Sequence, residues 1–286
     1  MATSEDKCEL LKLSHDEVSI VTHELCDPLR PLLAVHLSST AKGLWVPMQE
    51  QLAELRQRHA EAAAMARAWG LCCAALADAE VLELGAHFSK PLTLAHWRTL
   101  GMVVGCGSLP RLRVLSIDGS DSGDEGVALL ADGLRRDSLP SLRVLALRDA
   151  QIGPQGATAL APALTKRALP SLVHLSLNSN QIGDAGLTAL APALRQLPKL
   201  EELYLRTNEI GDQGLASQLA PPTTGVLPSL QQLHIHHNQI TDEGCAALAS
   251  TLRGGALPAL KELVLYDNPA SAEALQAVQA ALGARN

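Results

Sequence analysis

The chain has 286 residues, a formal net charge of −7 and an aromatic content of only 2%. The negative charge argues against a primary role on nucleic acid or on an anionic membrane, since both attract basic proteins. No apolar stretch approaches the ~18 residues that a membrane-spanning helix needs. Six scattered cysteines without metal-type spacing, and without a signal peptide, predict a reducing cytoplasmic setting and leave the nucleus open.

Residues 1–75 contain no repeat and predict a helical N-terminal region. Its order is a stretch from Leu13 to Val18, an Asp27-Pro28 break, an apolar segment from Leu32 to Leu37, and Trp45. This order resembles an F-box, the motif by which substrate adaptors dock on the Skp1 subunit of a ubiquitin ligase. The resemblance implies three Skp1-docking residues: Leu25, Pro28 and Leu32. The alternative is that these helices only cover the apolar end of the next domain.

Residues from Met48 to Trp69 predict one long helix. Its inward stripe alternates by four and three: Met48, Leu52, Leu55, His59, Ala62, Ala66 and Trp69. Glu54 and Arg58 lie four residues apart on the other face, where they can form an ion pair. Because the stripe is short and contains alanine, the pattern favours a capping helix over a coiled-coil dimer.

A Leu-Pro pair recurs six times at intervals of 28 or 30 residues, with its proline at positions 110, 140, 170, 198, 228 and 258. Each pair introduces a Leu-x-x-Leu-x-(Leu/Ile) frame, which predicts a short strand, and then leucines at helical spacing. In the third repeat, Asp184 precedes the helical segment and is predicted to be its N-cap. Pro162 and Pro192 lie inside helical segments and are predicted to kink or shorten them.

This pattern resembles the leucine-rich repeat family, in its ribonuclease-inhibitor-like subtype. Besides the leucine frame, the resemblance rests on an asparagine that follows each strand: Asn180, Asn208, Asn238 and Asn268. In the family this side chain hydrogen-bonds backbone groups of the turn, and Ser120 and Ala150 replace it in two repeats. The resemblance implies an α/β solenoid, a horseshoe with a parallel concave sheet and outer helices, over residues 76–286. About seven repeats are expected, including a degenerate first repeat that begins near Glu80.

Equivalent residues of neighbouring strands should form columns on the concave face, because parallel strands lie about 4.8 Å apart. The columns are small and apolar in the N-terminal half and gather His, Tyr, Arg and Glu in the C-terminal half. Tyrosine and arginine are the residues most enriched at interface hot spots. The sequence therefore predicts a partner-binding surface of nine residues: Arg148, His174, Glu202, Tyr204, Arg206, His234, His236, Glu262 and Tyr266.

The patterns together predict a non-catalytic module that needs no cofactor and binds a protein partner. One alternative is the Skp1-dependent substrate adaptor. Another is a regulator of a small GTPase, but that family carries an acidic C-terminal tail and this chain ends at Gly283 to Asn286. His234 and His236 share a face, yet a zinc site needs three or four converging ligands. Glu202 and Glu262 stand about 10 Å apart on an open face that does not exclude water, so the pattern does not indicate catalysis.

Overall fold

The computed structural model describes residues 27–31, 49–88, 92–134, 138–165, 168–219 and 227–284. In this part of the chain, seven strands form one sheet in chain order, and every neighbouring pair is parallel. The strands are Val81–Leu84 (β1), Val114–Asp118 (β2), Val144–Arg148 (β3), His174–Ser176 (β4), Glu202–Tyr204 (β5), Gln232–His234 (β6) and Glu262–Val264 (β7). The predicted leucine-rich-repeat solenoid is therefore the fold.

A helix follows each strand, and two helices precede the first strand. The helices are Gln49–Ala68 (α1), Cys73–Ala77 (α2), Leu94–Gly105 (α3), Gly123–Leu134 (α4), Pro154–Leu160 (α5), Gly183–Leu194 (α6), Asp212–Leu219 (α7), Asp242–Arg253 (α8) and Ala272–Gly283 (α9). From α3 onward, each helix packs against the next, so every repeat buries its leucines against its neighbours. Within the described ranges, none of these helices is long and apolar enough to cross a membrane.

The leucine frame supplies the core. In the third repeat, Leu172, Leu175 and Leu177 are at most 1% exposed, and the helical Leu190 and Leu194 are fully buried. Burying one such side chain contributes roughly 1.5–3 kcal/mol. Because neighbouring repeats share this layer, the frame positions and the helical leucines form one continuous core along the solenoid.

The asparagines after the strands make the hydrogen bonds that the resemblance implies. Asn238 Oδ1 accepts the backbone N–H groups of Asn208 and Ile210, both at 3.0 Å. Its Nδ2 donates to the carbonyls of Leu205 and Ile235, at 2.9 and 3.0 Å. One buried side chain thus satisfies backbone groups of two consecutive repeats, which would otherwise be buried without partners.

Where serine replaces the asparagine, the local packing is different. Ser120 accepts a hydrogen bond from Nε1 of the fully buried Trp97 at 3.1 Å. Its hydroxyl also accepts the N–H of Ser122 at 3.4 Å. The hydroxyl of Ser120, at the asparagine position, is thus used as the hydrogen-bond acceptor of the Trp97 indole.

The aspartates at the start of the helices do not cap their own helices, so the prediction for Asp184 was wrong. Asp184 lies in the first turn of α6, and its Oδ1 accepts the N–H of Gly211 in the following repeat at 2.6 Å. The same bond recurs along the solenoid: Asp124 to Gly153, Asp212 to Thr241 and Asp242 to Ser271. The carboxylate reaches the next repeat because neighbouring helices start side by side.

The two helical prolines have different effects. Helix α5 ends at Leu160 and a 3₁₀ turn containing Pro162 follows, so the predicted shortening is confirmed there. Pro192 lies inside α6, which continues to Leu194. The complete burial of Leu190 and Leu194 holds this last turn in place despite the hydrogen bond that the proline removes.

Helix α1 packs against α3, and its inward residues Leu55, Ala62 and Trp69 are buried, as a capping helix requires. Arg58 forms the predicted ion pair with Glu54. Met48 lies outside the described residues. The division of the chain at residues 75 and 76 stays a prediction.

The contact between α3 and α4 is unusually close at two glycines. A Cβ atom built on Gly133 would lie 2.1 Å from the carbonyl oxygen of Gly101. We expect Gly133→Ala to lower the free energy of unfolding by about 1–3 kcal/mol, since overpacking outweighs alanine's better helix propensity. Urea unfolding measures the change. Gly283→Ala is the control, because its Cβ would meet nothing within 4 Å, and equal stability of the two variants would contradict the close approach.

The asparagine ladder also gives a graded stability prediction. Asn238 is 5% exposed and makes five hydrogen bonds, whereas Asn268, in the last repeat, is half-buried and makes three. We expect Asn238→Ala to lower the free energy of unfolding by about 3 kcal/mol, because several buried backbone groups lose their partner. Asn268→Ala should cost less. Chemical unfolding of both variants measures the two losses of free energy. An equal or larger loss for Asn268→Ala would contradict the prediction.

Candidate functional site

The strand register aligns the predicted surface residues in the expected columns. Tyr204 pairs with Ser176 on one side and with His234 on the other. The adjacent column contains His174, Glu202, Gln232 and Glu262. Arg148 is the last residue of β3, and three residues follow the ends of β5, β6 and β7: Arg206, His236 and Tyr266. All nine predicted residues thus lie within or just beyond strands β3 to β7.

Within these columns the aromatic and imidazole rings touch one another in an unbroken series. We call this series the ring ladder: His174, Tyr204, His234, His236, Tyr266 and His237. Tyr204 stacks on His234 with centroids 4.3 Å apart and planes 19° apart, and His174 meets Tyr204 edge-on at 4.7 Å. The centroids of His236 and Tyr266 are 4.4 Å apart. The contact between His234 and His236, at 6.0 Å, joins the two halves.

The sequence prediction missed His237, which lies 5.6 Å from Tyr266 in an edge-on contact. This residue follows the strand and has a left-handed backbone, with φ of 53°. The columns of a strand do not extend into such a turn. The run of three histidines around Ile235 was the available signal, but spacing alone does not show which rings meet.

Hydrogen bonds fix the first half of the ladder. The Nδ1 atom of His174 lies 2.6 Å from Glu202 Oε2, and the hydroxyl of Tyr204 lies 3.1 Å from the same oxygen and 2.8 Å from Gln232 Oε1. Burial, together with the hydrogen bond to Glu202, raises the pKa of Tyr204 to about 12. The phenol therefore keeps its proton at neutral pH and stays a hydrogen-bond donor.

The second half of the ladder centres on a buried histidine. His236 is 6% exposed, and within the described part of the chain its Nδ1 has no hydrogen-bond partner. Burial, and then the positive charge of Arg206 and the neighbouring His234 and His237, lower the pKa of His236. The ring is therefore neutral at neutral pH and behaves as part of an apolar stack.

Carboxylates form the rim of the ladder. Glu262 Oε1 lies 3.4 Å from Nε2 of His234, and Asp267 Oδ2 lies 3.2 Å from Nε2 of His237. Both carboxylates are more than half exposed. The ladder thus has packed rings at its centre and negative charge at its edge.

The two predicted arginines are placed differently. Arg148 Nε donates to Ser176 Oγ at 3.2 Å, and its Nη1 lies 4.0 Å from Asp118 Oδ2. Ser176, although it faces away from the core, is fully buried at this contact. Arg206 is exposed, and its backbone N–H donates to Asn178 Oδ1 at 2.9 Å. Arg206 is therefore the more exposed of the two arginines, and its side chain forms no ion pair with the described residues.

A groove adjoins the ladder at the start of strands β2 to β5. We call it the arginine groove; it has a volume of about 380 Å³ and is lined by Arg113, Val114, Arg143, Val144, Val173, His174 and Glu202. The sequence prediction included His174 and Glu202 but not the arginines and valines. Arg113 and Arg143 precede the strands, so they belong to none of the columns considered.

Two further possibilities from the sequence were a metal site and the three Skp1-docking residues. Among the described residues, no three His, Cys, Asp or Glu side chains are grouped so that they could hold a metal ion. Leu25 and Leu32 lie outside the described residues. Pro28 is buried, and its carbonyl oxygen lies 2.7 Å from Nδ1 of His59 on α1. Pro28 thus contacts helix α1 of the same chain.

Comparison with known proteins agrees with the repeat architecture. Four segments match the family model described as "Leucine Rich repeat": residues 138–161, 168–191, 196–217 and 226–249. A search of curated proteins gives no match. A solved structure titled "Leiomodin-1 Actin-Binding Site 2 (ABS2)" is 19% identical, with 68% of this chain and 90% of that chain covered and a TM-score of 0.42. The ribonuclease-inhibitor-like subtype stays a prediction.

His236 should make the fold sensitive to mild acid. Because its pKa is lower in the folded protein than the ~6.5 of an unfolded chain, the unfolded chain takes up the proton first. The free energy of unfolding should therefore fall as pH drops from about 7.5 to 5.5. His236→Phe keeps a ring beside Tyr266 and should show a smaller fall. Urea unfolding at the two pH values measures the difference, and an unchanged fall would contradict the role of His236.

Proposed function

We propose that the protein is a non-catalytic binding module that captures a protein partner on the concave face, with the ring ladder at the centre of the contact. The observation that carries this proposal is the placement of scarce aromatic residues. Both tyrosines of the chain belong to the ladder, on the face of the sheet that does not form the core. Tyr266 is 52% exposed. The leucine core does not need these rings, whereas protein interfaces are enriched in them.

The polar groups around the ladder support the same function. Interfaces typically have an apolar centre and a polar rim, and here Glu262, Asp267 and Arg206 surround the stacked rings. The hydrogen bonds of Tyr204 hold the centre rigid before a partner arrives. A preorganised ring surface loses little side-chain entropy on binding.

The decisive experiment compares two truncations of exposed apolar side chains. Tyr266→Ala removes the exposed ring of the ladder, and Leu94→Ala removes an exposed leucine on α3, away from the ladder. We expect Tyr266→Ala to weaken partner binding by about 30-fold, the loss typical of a hot spot of 2 kcal/mol. Neither variant should change the thermal unfolding profile by much.

The measurement is affinity purification of the full chain from cells, followed by quantitative mass spectrometry. Proteins that the wild type and Leu94→Ala recover, and that Tyr266→Ala loses, are the partners of the ladder. Recovery of the same proteins in the same amounts by all three chains would contradict the proposal.

The Skp1-dependent adaptor and the GTPase regulator stay alternatives drawn from the sequence. For the adaptor, two of its three docking residues lie outside the described residues, and the burial of Pro28 favours the capping interpretation. We also infer a cytoplasmic location, with the nucleus as the alternative, from the scattered cysteines of the sequence.

A further inference from the structure

The arginine groove contains one arginine, Arg143, that forms no ion pair within the described part of the chain. Arg113 and Arg143 occupy equivalent positions on adjacent repeats, because the N–H of Arg143 donates to the carbonyl of Arg113 at 2.8 Å. Both side chains are exposed. Glu80 Oε2 lies 3.6 Å from Nη1 of Arg113, but within the described part of the chain no carboxylate pairs with Arg143. The exposed guanidinium of Arg143 is therefore the group in the groove that is available to bind an anion.

The floor of the groove is apolar. Val114, Val144 and Val173 are half-buried and line it. These valines occupy positions where a solvated surface would accommodate polar side chains equally well. An apolar floor beside an arginine fits an occupant with both a carboxylate and an aliphatic group.

The end of the groove is closed by a polar pair that is already formed. His174 Nδ1 lies 2.6 Å from Glu202 Oε2, and both residues line the groove. The Glu202 carboxylate therefore has a partner within the chain. This leaves Arg143 as the lining residue whose charge has no partner among the described residues.

We propose that the arginine groove binds an acidic side chain of a partner protein, carried on a segment with a neighbouring aliphatic residue. The carboxylate accepts a bidentate pair of hydrogen bonds from the guanidinium of Arg143. The aliphatic side chain packs on Val114 and Val144. The volume of about 380 Å³ accommodates one or two side chains.

A protein segment fits better than a nucleic acid. The chain carries a net charge of −7, and the groove itself contains Glu202 beside the two arginines. A polyanion would meet this carboxylate and the negative rim of the ring ladder. A single carboxylate on an otherwise apolar segment avoids both.

The proposal extends the proposed function and does not depend on the ring ladder, since the ladder and the groove share only His174. The test uses a fluorescein-labelled peptide, Gly-Leu-Glu-Leu-Gly with blocked ends, titrated with the full chain at low salt and followed by fluorescence anisotropy. A peptide with Gln in place of Glu is the matched ligand control. We expect the affinity for the Gln peptide to be lower by a factor of about ten or more, because this peptide lacks the charge that Arg143 recognises.

Three protein variants complete the test. Arg143→Glu should abolish binding of the Glu peptide and favour a peptide with Lys at the same place. Arg98→Glu, the same charge reversal at an exposed position of α3, should bind like the wild type. Tyr266→Ala should also bind normally, so failure of the ladder and failure of the groove are distinguishable. Arg143→Gln provides a milder variant if the reversal disturbs folding, and it too should lose binding.

Several results would overturn the proposal. These are equal binding of the Glu and Gln peptides, full binding to Arg143→Gln, and absence of binding at any accessible peptide concentration. Competition by free acetate as effective as that by unlabelled peptide would also overturn it, because the valine floor would then contribute nothing.

Discussion

Hydrogen bonds from side chains to the backbone of a neighbouring repeat are the interaction on which the rest of this structure depends. Each turn of a solenoid leaves backbone groups that its own repeat cannot satisfy. Asn238 fills this need on the sheet side, and Asp184 does so at the start of the helices. Because both reach into an adjacent repeat, they fix how repeats stack. The strand register, and with it every column of the concave face, follows from that stacking.

Among the four asparagines of the ladder, Asn208 is bonded differently, and it ends the shortest spacing. Asn208 follows Asn180 by 28 residues, whereas the other spacings are 30. The Oδ1 atom of Asn208 is buried and has no hydrogen-bond partner in the described part of the chain. The N–H of Asn180 donates to the carbonyl of Thr207 instead. The leucine layer and the strand pairing continue unbroken through this repeat.

The repeat period of the sequence predicts the features that all repeats share, whereas the structure is needed to show the contacts between neighbouring repeats. The leucine frame and the columns could be predicted because alternation along a strand and a constant spacing determine them. The N-cap prediction for Asp184 considered one repeat alone, whereas this carboxylate accepts a hydrogen bond from the following repeat. The sequence prediction missed Arg143 for the same reason. Arg143 precedes its strand, and only the pairing of adjacent repeats shows that it lies beside Arg113. Ring contacts such as that of His237 depend on a left-handed turn that spacing does not reveal.

The concave face carries two surfaces of opposite character, and their order along the arc constrains any partner that touches both. Arginines and valines line the face from β2 to β4, while rings with a carboxylate rim occupy it from β5 to β7. His174 belongs to both surfaces, and Glu202 joins them. Glu202 Oε2 lies 2.6 Å from Nδ1 of His174 and accepts a hydrogen bond from the hydroxyl of Tyr204 at 3.1 Å. One carboxylate oxygen thus holds a residue of the groove and a ring of the ladder together. A partner segment that displaces His174 or Glu202 in the groove would therefore also disturb Tyr204, because hydrogen bonds in a chain depend on one another.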